Sequence, residues 1–207
     1  MSSQPYVLMQ LPFSGEWFTL SGGDTAEQNN HHGIAAQNFA YDFFIVDEST
    51  KSTHTGDGRS NEDYFAYGKE VLATSDGEVV EVVDGVRDNT PLDTNDYVVT
   101  GDCVVIKHGA VYSLTAHLQQ GSMLVKKGDK VKAGQKIGLC GSSGNSSEPH
   151  VHFHVQDSFI FSRFNEKAER VSVAKGIKVC FKNLKVNGEV KFDYSPVRKD
   201  TVVNNDY

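Results

Sequence analysis

The sequence lacks the features that would point to a membrane or nucleic-acid protein. No stretch approaches the roughly 20 consecutive apolar residues that a membrane-spanning helix requires. The 20 Lys and Arg residues form no concentrated run, and 27 acidic residues outnumber them, which gives a formal net charge of −7. Nucleic acid and anionic membrane surfaces are therefore poor candidates as partners, and the negative charge mainly favours solubility.

Two further absences concern export and thiol chemistry. The first residues have no charged n-region, and Gln10 and Pro12 interrupt their apolar run, so we expect no signal peptide in this sequence. Cysteine occurs only three times, never as CxxC, and each cysteine lies in an apolar run. We therefore expect Cys103, Cys140 and Cys180 to be buried free thiols rather than zinc ligands or nucleophiles.

Long helical periodicity is scarce, whereas short β-branched runs bounded by Gly, Asp or Asn are frequent. This pattern predicts an all-β fold with few short helices. The predicted strands are Val79–Val83, Tyr97–Thr100, Cys103–Lys107, Val111–Ala116, Lys136–Cys140, Val151–Val155 and Lys178–Lys182. Asn187-Gly188 lies between two short apolar runs and predicts a two-residue hairpin turn.

The polarity of two segments predicts loops. Residues 47–63 contain almost no apolar side chain and predict a long surface loop. The chain after Pro196 is polar, and we expect it to be frayed. We expect residues 1–207 to form a single domain.

Histidine is concentrated where a Gly/Ser-rich loop, residues 141–149, runs into a predicted strand. His150, His152 and His154 alternate there with apolar residues, so they project from one face of the strand while their neighbours face the core. Imidazole is a common zinc ligand, but a catalytic zinc needs three protein ligands, so other segments must contribute. Asp42, in an aromatic run, and His117 are candidates, although the first is equally consistent with an edge position and the second with a core histidine.

Several ordered motifs resemble one known family. They are Glu70-Val-Leu-Ala with Asp76-Gly-Glu-Val-Val80, His108-Gly followed by Tyr112-Ser-Leu-Thr-Ala-His-Leu118, the stretch 125–138, and Gly141-Ser-Ser-Gly-Asn-Ser-Ser-Glu-Pro-His-Val-His-Phe153. Together they resemble the LytM/lysostaphin-type zinc metalloendopeptidases, which cut peptide cross-links in the bacterial cell wall. The resemblance implies a mainly antiparallel β-sheet or sandwich with its core at about 69–157, a metal-ligand segment at about 28–45 and extra strands at about 170–195.

The resemblance also implies roles for individual residues. His152, the second histidine of an HxH pair, matches a zinc ligand, and Asp42 matches the carboxylate ligand. His150 and His117 match the two histidines that line the substrate cleft without binding the metal.

Two positions depart from the family pattern. The family has a histidine four residues before the aspartate, where this chain has Asn38, whose neutral amide is a poor zinc ligand. Either the site is degenerate, or the missing imidazole comes from His31 or His32, of which we favour His31. His154 stands where relatives often carry Glu, and we expect it to support another ligand rather than bind the metal itself.

The resemblance implies a function. We expect a zinc-dependent endopeptidase that hydrolyses peptide bonds in peptidoglycan stem peptides or cross-bridges, with His117 and His150 stabilising charge or moving protons. The alternative is an inactive relative that binds cell wall or a protein partner, as Asn38 suggests. The substrate would imply a periplasmic or extracellular location, and we expect a monomer without a membrane span.

Overall fold

The computed structural model describes residues 5–159, 162–164 and 170–204. The strands, in chain order, are β1 (Tyr6–Met9), β2 (Glu16–Ser21), β3 (Tyr41–Phe44), β4 (Glu70–Leu72), β5 (Gly77–Val83), β6 (Asp102–His108), β7 (Val111–Leu118), β8 (Lys130–Val131), β9 (Lys136–Leu139), β10 (Val151–Gln156), β11 (Ser162–Phe164), β12 (Arg170–Ser172), β13 (Gly176–Phe181), β14 (Leu184–Val186), β15 (Glu189–Lys191) and β16 (Thr201–Asn204). The only helices in these described ranges are two 3₁₀ turns of three residues each, Ala35–Gln37 and Asn61–Asp63. The prediction of an all-β fold with few short helices is therefore confirmed.

One large sheet dominates the fold. Its strands follow the order β15-β14-β16-β2-β3-β10-β7-β6-β5-β8, and β13 joins it through β10 while carrying β1 on its other side. The pair β1–β13 is parallel, and the other strand pairs in the described part of the chain are antiparallel. Two small sheets, β11–β12 and β4–β9, lie outside this path.

The core explains why β10 reads as an alternating strand. Val151, Phe153 and Val155 are at most 1% exposed and belong to the main apolar cluster, where the Phe153 ring lies near that of Phe181. The histidines between them point to the opposite face, as the period of two predicts. That face is also buried. Polar side chains on a covered face need partners, and this is where the candidate site lies.

The predicted strand at Tyr97–Thr100 is wrong. These residues form turns, and Tyr97 is 99% exposed. The side-chain oxygen of Asn95 accepts hydrogen bonds from the backbone N–H groups of Tyr97 and Val98, and Gly101 N–H donates to the Val98 carbonyl. This local bonding turns the backbone and overrides the β-branched composition.

The predicted fraying after Pro196 is also wrong for the described part of that tail. Strand β16 pairs with β2 and β14, and Val202 within it is fully buried. The turn before it is held by Asp200, whose carboxylate accepts hydrogen bonds from the Tyr194 hydroxyl and the Val197 N–H. Two consecutive valines thus form the centre of an inner strand, and the polar residues around them led to the wrong prediction.

Other local predictions are confirmed. Asn187 and Gly188 both have positive φ angles, 52° and 85°, and join β14 to β15 as the hairpin turn requires. Residues 47–63 run over the surface with one short 3₁₀ turn. The three cysteines are free and buried. Within the described ranges, no helix has both the length and the apolar character needed to cross a bilayer.

Candidate metal centre

Strand pairing brings Asp42 and His152 together. The two residues are direct partners in the antiparallel pair β3–β10, although 110 positions separate them in the chain. Asp42 Oδ1 lies 2.9 Å from His152 Nδ1. Both side chains are nearly buried, so the carboxylate needs a positive or hydrogen-bonding partner at this depth.

A turn before the first 3₁₀ helix brings the third member. His31 Nε2 lies 2.8 Å from Asp42 Oδ2, and its ring is 4.8 Å from that of His152 between centroids. The buried side chain of Asn29 anchors this turn, because its Oδ1 accepts a hydrogen bond of 2.9 Å from the His31 N–H.

His31, Asp42 and His152 therefore converge. One ligand atom from each lies within 4.8 Å of the other two. Two imidazole nitrogens and one carboxylate form a donor set that suits zinc and leaves a coordination position open, so these residues could hold a metal ion.

The neighbouring candidates in the upstream segment do not join this cluster. His32 is exposed. The side chain of Asn38, which stands at the family's usual histidine position, accepts a hydrogen bond from Gly33 N–H and thereby braces the turn that carries His31. The chain thus supplies an imidazole from a different place in the sequence, and the ligand role of His31 stays a prediction.

Backbone carbonyls orient two further histidines beside this cluster. His117 Nδ1 lies 2.8 Å from the Ser143 carbonyl oxygen, and His150 Nδ1 lies 2.9 Å from that of Glu148. A carbonyl only accepts, so each Nδ1 carries the proton and each Nε2 is left as a potential acceptor when the ring is neutral. The two rings are 4.8 Å apart between centroids, and His150 Nε2 lies 3.7 Å from Asp42 Oδ1.

Local structure holds these rings in place. His117 has a φ of 62°, a conformation that costs a non-glycine residue about 1–2 kcal/mol. Backbone hydrogen bonds from its N–H to Thr100 and from Gly141 to its carbonyl hold it there. The Phe44 ring stacks on His150 with an interplanar angle of 5°. Strain of this kind is often found at functional sites.

The electrostatics of the cluster follow from burial and from one negative charge. Burial alone would raise the pKa of Asp42, but the neighbouring imidazoles of His152 and His31 outweigh it and hold this pKa well below its usual value. Burial acts to lower the pKa of His31, yet the Asp42 carboxylate raises it overall. Burial and the neighbouring imidazoles lower the pKa of His117 and of His152, which favours the neutral rings that can bind a metal or accept a proton.

A cavity of about 270 Å³ opens beside the cluster. His31, His117 and His152 border it, so a ligand entering this space would meet the three rings directly. Ile34 and Val99 line its outer part and are 45% and 38% exposed, which gives the entrance apolar edges.

Comparison with known families identifies the chain. The model of peptidase family M23 matches residues 61–168, slightly more than half of the sequence. The chain belongs to peptidase family M23. This confirms the resemblance drawn from the motifs. The matched segment contains His117, His150 and His152, whereas His31 and Asp42 lie upstream of it.

Curated relatives are similar in sequence to part of this M23 chain. The peptidoglycan DD-endopeptidase ShyB of Vibrio cholerae is 39% identical over 88 residues, which are 42% of this chain and 18% of the relative. The murein hydrolase activator NlpD of Escherichia coli is 36% identical over 89 residues, or 43% of this chain and 20% of the relative. The chain therefore spans about a fifth of the length of these relatives.

Two solved structures are distantly similar to this chain. A zinc-containing peptidase from Vibrio cholerae has a TM-score of 0.45 and 24% identity, covering 72% of this chain and 37% of that one. A point mutant of the catalytic domain of EnpA, a prophage-encoded M23 protein from Enterococcus faecalis, has a TM-score of 0.45 and 20% identity over 79% of this chain and 93% of that one.

Two residues of this M23 chain that the sequence reasoning missed lie next to the cluster. Asn29 anchors the His31 turn, and its only signal was its place in the Asn-Asn-His stretch. Gln156 is 1% exposed and contacts His154, which in turn contacts His152. The alternation that placed the histidines on one face extends by one step to Gln156, and this was the signal for it.

Proposed function

We propose that this M23 chain is a zinc-dependent endopeptidase that hydrolyses peptide bonds in the stem peptides or cross-bridges of peptidoglycan. The observation that carries the proposal is the convergence of His31, Asp42 and His152 on one point beside a cavity. The similarity to a peptidoglycan DD-endopeptidase supports the choice of substrate.

His31 Nε2, Asp42 and His152 Nδ1 would hold the zinc. When bound, zinc supplies a Lewis acid that polarises the scissile carbonyl and lowers the pKa of a water toward ~7. The Asp42 carboxylate contributes the negative charge that two neutral imidazoles lack, and its burial strengthens that contribution.

His117 and His150 would handle the proton. Their Nδ1 atoms are committed to backbone carbonyls, so the Nε2 atom of each neutral ring is free to accept a proton from an attacking water and pass it to the leaving amine. The low pKa of His117 favours the neutral form that accepts. Within the described ranges no glutamate belongs to the cluster of potential metal ligands, so the histidines take the part of general base.

The test begins with the metal. We expect about one zinc per chain in protein purified with zinc, measured by elemental analysis, and loss of that zinc in His31→Ala, Asp42→Ala and His152→Ala. His32→Ala is the matched control, since His32 is the exposed neighbour of His31 and should leave the zinc content unchanged. A wild-type protein without zinc would contradict the proposal, and equal zinc contents in the His31 and His32 variants would contradict the ligand set.

The second measurement concerns hydrolysis. Purified peptidoglycan is incubated with the protein, and the released muropeptides are identified by mass spectrometry. We expect His117→Ala and His150→Ala to keep zinc while the rate of cleavage falls about 10²–10⁴-fold, the usual worth of a general acid or base. A wild-type protein that binds zinc and wall material but releases no peptide would instead support a non-catalytic role, which the similarity to a murein hydrolase activator makes the second candidate.

A further inference from the structure

The polar face of β10 carries more than the candidate ligand. His150, just before the strand, is followed on the same face by His152, His154 and Gln156 at steps of two residues. His154 and Gln156 are each only 1% exposed. Neither belongs to the cluster of potential metal ligands, and their burial requires that their polar atoms be satisfied inside the protein.

These side chains form a continuous chain of contacts that ends on the backbone. His152 Nε2 lies 3.0 Å from His154 Nδ1, and His154 Nε2 lies 3.1 Å from Gln156 Oε1. Gln156 Nε2 donates a hydrogen bond of 2.7 Å to the Ser158 carbonyl oxygen. Each step is within hydrogen-bonding distance, so the protonation of one ring constrains that of the next.

The backbone end of this chain sets its direction. The Ser158 carbonyl only accepts, so the amide nitrogen of Gln156 faces it and the amide oxygen faces His154. That oxygen also only accepts, so His154 carries its proton on Nε2 and, as a neutral ring, leaves Nδ1 bare. The bare Nδ1 then accepts from His152, whose proton must be on Nε2.

The other side of His152 is left without a proton as a consequence. In the neutral ring, Nδ1 is a bare acceptor, and it lies 2.9 Å from Asp42 Oδ1, which is also an acceptor. Two acceptors at this distance repel each other unless a positive charge lies with them. A metal ion bound to both atoms satisfies them, whereas a simple hydrogen bond between Asp42 and a neutral His152 would require the opposite tautomer.

We propose that the Ser158 carbonyl, acting through Gln156 and His154, holds His152 in the tautomer whose Nδ1 is ready to bind metal. His154 and Gln156 are positioning residues: they touch neither metal nor substrate and act through His152. The inference rests on the proposed function for the identity of the metal, but the tautomer itself is a property of the metal-free protein. It also explains how His154 can accept a hydrogen bond from His152 at a position where relatives often carry Glu. A neutral histidine accepts through Nδ1 only when another residue, here Gln156, keeps its proton on Nε2.

The direct test is the protonation of the His152 ring. Its two ¹⁵N chemical shifts are measured by NMR in metal-free protein, with assignment from His152→Gln. We expect Nε2 to carry the proton in the wild type. We call the contacts from His152 through His154 and Gln156 to the Ser158 carbonyl the relay. In Gln156→Leu the relay loses the acceptor for His154, so Asp42 should draw the His152 proton to Nδ1. In Gln156→Glu an oxygen acceptor remains for His154, and the wild-type shifts should be restored.

Zinc affinity gives the second readout, measured by competition with a chromophoric chelator. Loss of an outer hydrogen-bonding partner typically weakens metal binding about 10–100-fold, and we expect this loss for Gln156→Leu. We expect His154→Glu to bind zinc nearly as the wild type does, since a carboxylate accepts from His152 without help. The double variant with both His154→Glu and Gln156→Leu should then show no further loss.

A matched control separates positioning from general damage. Val155 lies between the relay residues, is equally buried and faces the core, so Val155→Ala should lower stability but leave the zinc affinity within about twofold. Unchanged His152 ¹⁵N shifts in Gln156→Leu would overturn the proposal, as would an additive loss of affinity in the double variant. If the wild type binds no zinc, the proposed function fails, while the metal-free NMR comparison still decides the relay.

Discussion

The sharpest consequence of the structure concerns Asn29, a residue outside the cluster that holds the upstream segment together. It is 1% exposed, and its Oδ1 accepts hydrogen bonds from the His31 N–H and from the Ser21 hydroxyl. Its amide nitrogen lies 3.1–3.3 Å from three backbone carbonyl oxygens, those of Gly23, Asn38 and Ala40. One side chain thus joins β2, the His31 turn and the start of β3.

The expected cost of Asn29→Ala follows from these contacts. An amide nitrogen has two hydrogens for its three carbonyls, so the side chain makes the equivalent of four hydrogen bonds. At about 0.5–1 kcal/mol net for each, the free energy of unfolding should fall by about 2–4 kcal/mol. For a chain of this size that corresponds to a decrease in Tm of about 4–16 °C.

The same change should weaken metal binding. Without its anchor, the His31 turn must be ordered when the metal binds, at about 1–2 kcal/mol for each residue fixed. One such residue makes zinc binding about 5- to 30-fold weaker. In Asn29→Asp the acceptor for His31 is kept, but a carboxylate faces three carbonyls, so stability should fall without a comparable loss in the intrinsic affinity of the folded protein.

The assay is chemical denaturation combined with zinc competition, with Asn30→Ala as the control. Asn30 is exposed and adjacent, and its backbone hydrogen bond to Ser21 survives the substitution. Its side-chain oxygen accepts one exposed hydrogen bond from Arg198, so the free energy of unfolding of Asn30→Ala should stay within about 1 kcal/mol of the wild type. If Asn29→Ala were as stable as Asn30→Ala and bound zinc equally well, the reasoning that the buried amide organises the site would be refuted.

Three other predictions test separate parts of the fold. A Cβ on Gly144, where φ is 77°, would lie 2.2 Å from a backbone nitrogen. At Gly109 φ is a similar 66°, but a Cβ would have no atom within 4 Å. Gly144→Ala should therefore lower the free energy of unfolding in denaturant melts by at least about 2 kcal/mol more than Gly109→Ala does. Burial raises the pKa of Asp102 to about 6, so the contribution of its protonated form to stability is greatest below the unfolded pKa and is lost as pH rises through 6. Relative to Asp102→Asn, the free energy of unfolding of the wild type should therefore fall by about 1–2 kcal/mol from pH 5 to pH 8. A difference between the two proteins that does not change with pH would contradict this. Phe44→Ala should cost about 3–5 kcal/mol and displace the His150 ring it stacks on, whereas Phe44→Leu should cost under about 1.5 kcal/mol, a difference readable from Tm.

Local patterns were sufficient for a large part of the fold. Alternation of apolar and polar residues predicted β10 and the common face of its histidines, because side chains in any strand alternate regardless of what surrounds it. Asn187-Gly188 predicted its turn equally locally, because these two residue types readily adopt the positive φ angles that the turn requires. Where local hydrogen bonding competed with composition, as at Asn95, the prediction failed and a run containing two valines became a turn.

The arrangement of the cluster needed tertiary structure. The sequence presents His31 and His32 as adjacent and chemically identical imidazoles. The folded turn, which the side chains of Asn29 and Asn38 brace, makes His31 rather than His32 face Asp42. In the same way, nothing local pairs Asp42 with His152 across 110 residues, because the register of β3 against β10 depends on which apolar faces are buried together.

Proton positions along β10 show the same division most clearly. Residue types and a period of two are enough to put His152, His154 and Gln156 in one row, since both are written in the chain itself. Which nitrogen carries each proton depends on the backbone carbonyl group of Ser158. Every residue has such a carbonyl, and the direction in which it points is set only when the backbone is folded. The chemistry available to this protein is therefore encoded residue by residue, while its orientation is decided by the fold, because hydrogen bonds act through distances and angles that no linear spacing contains.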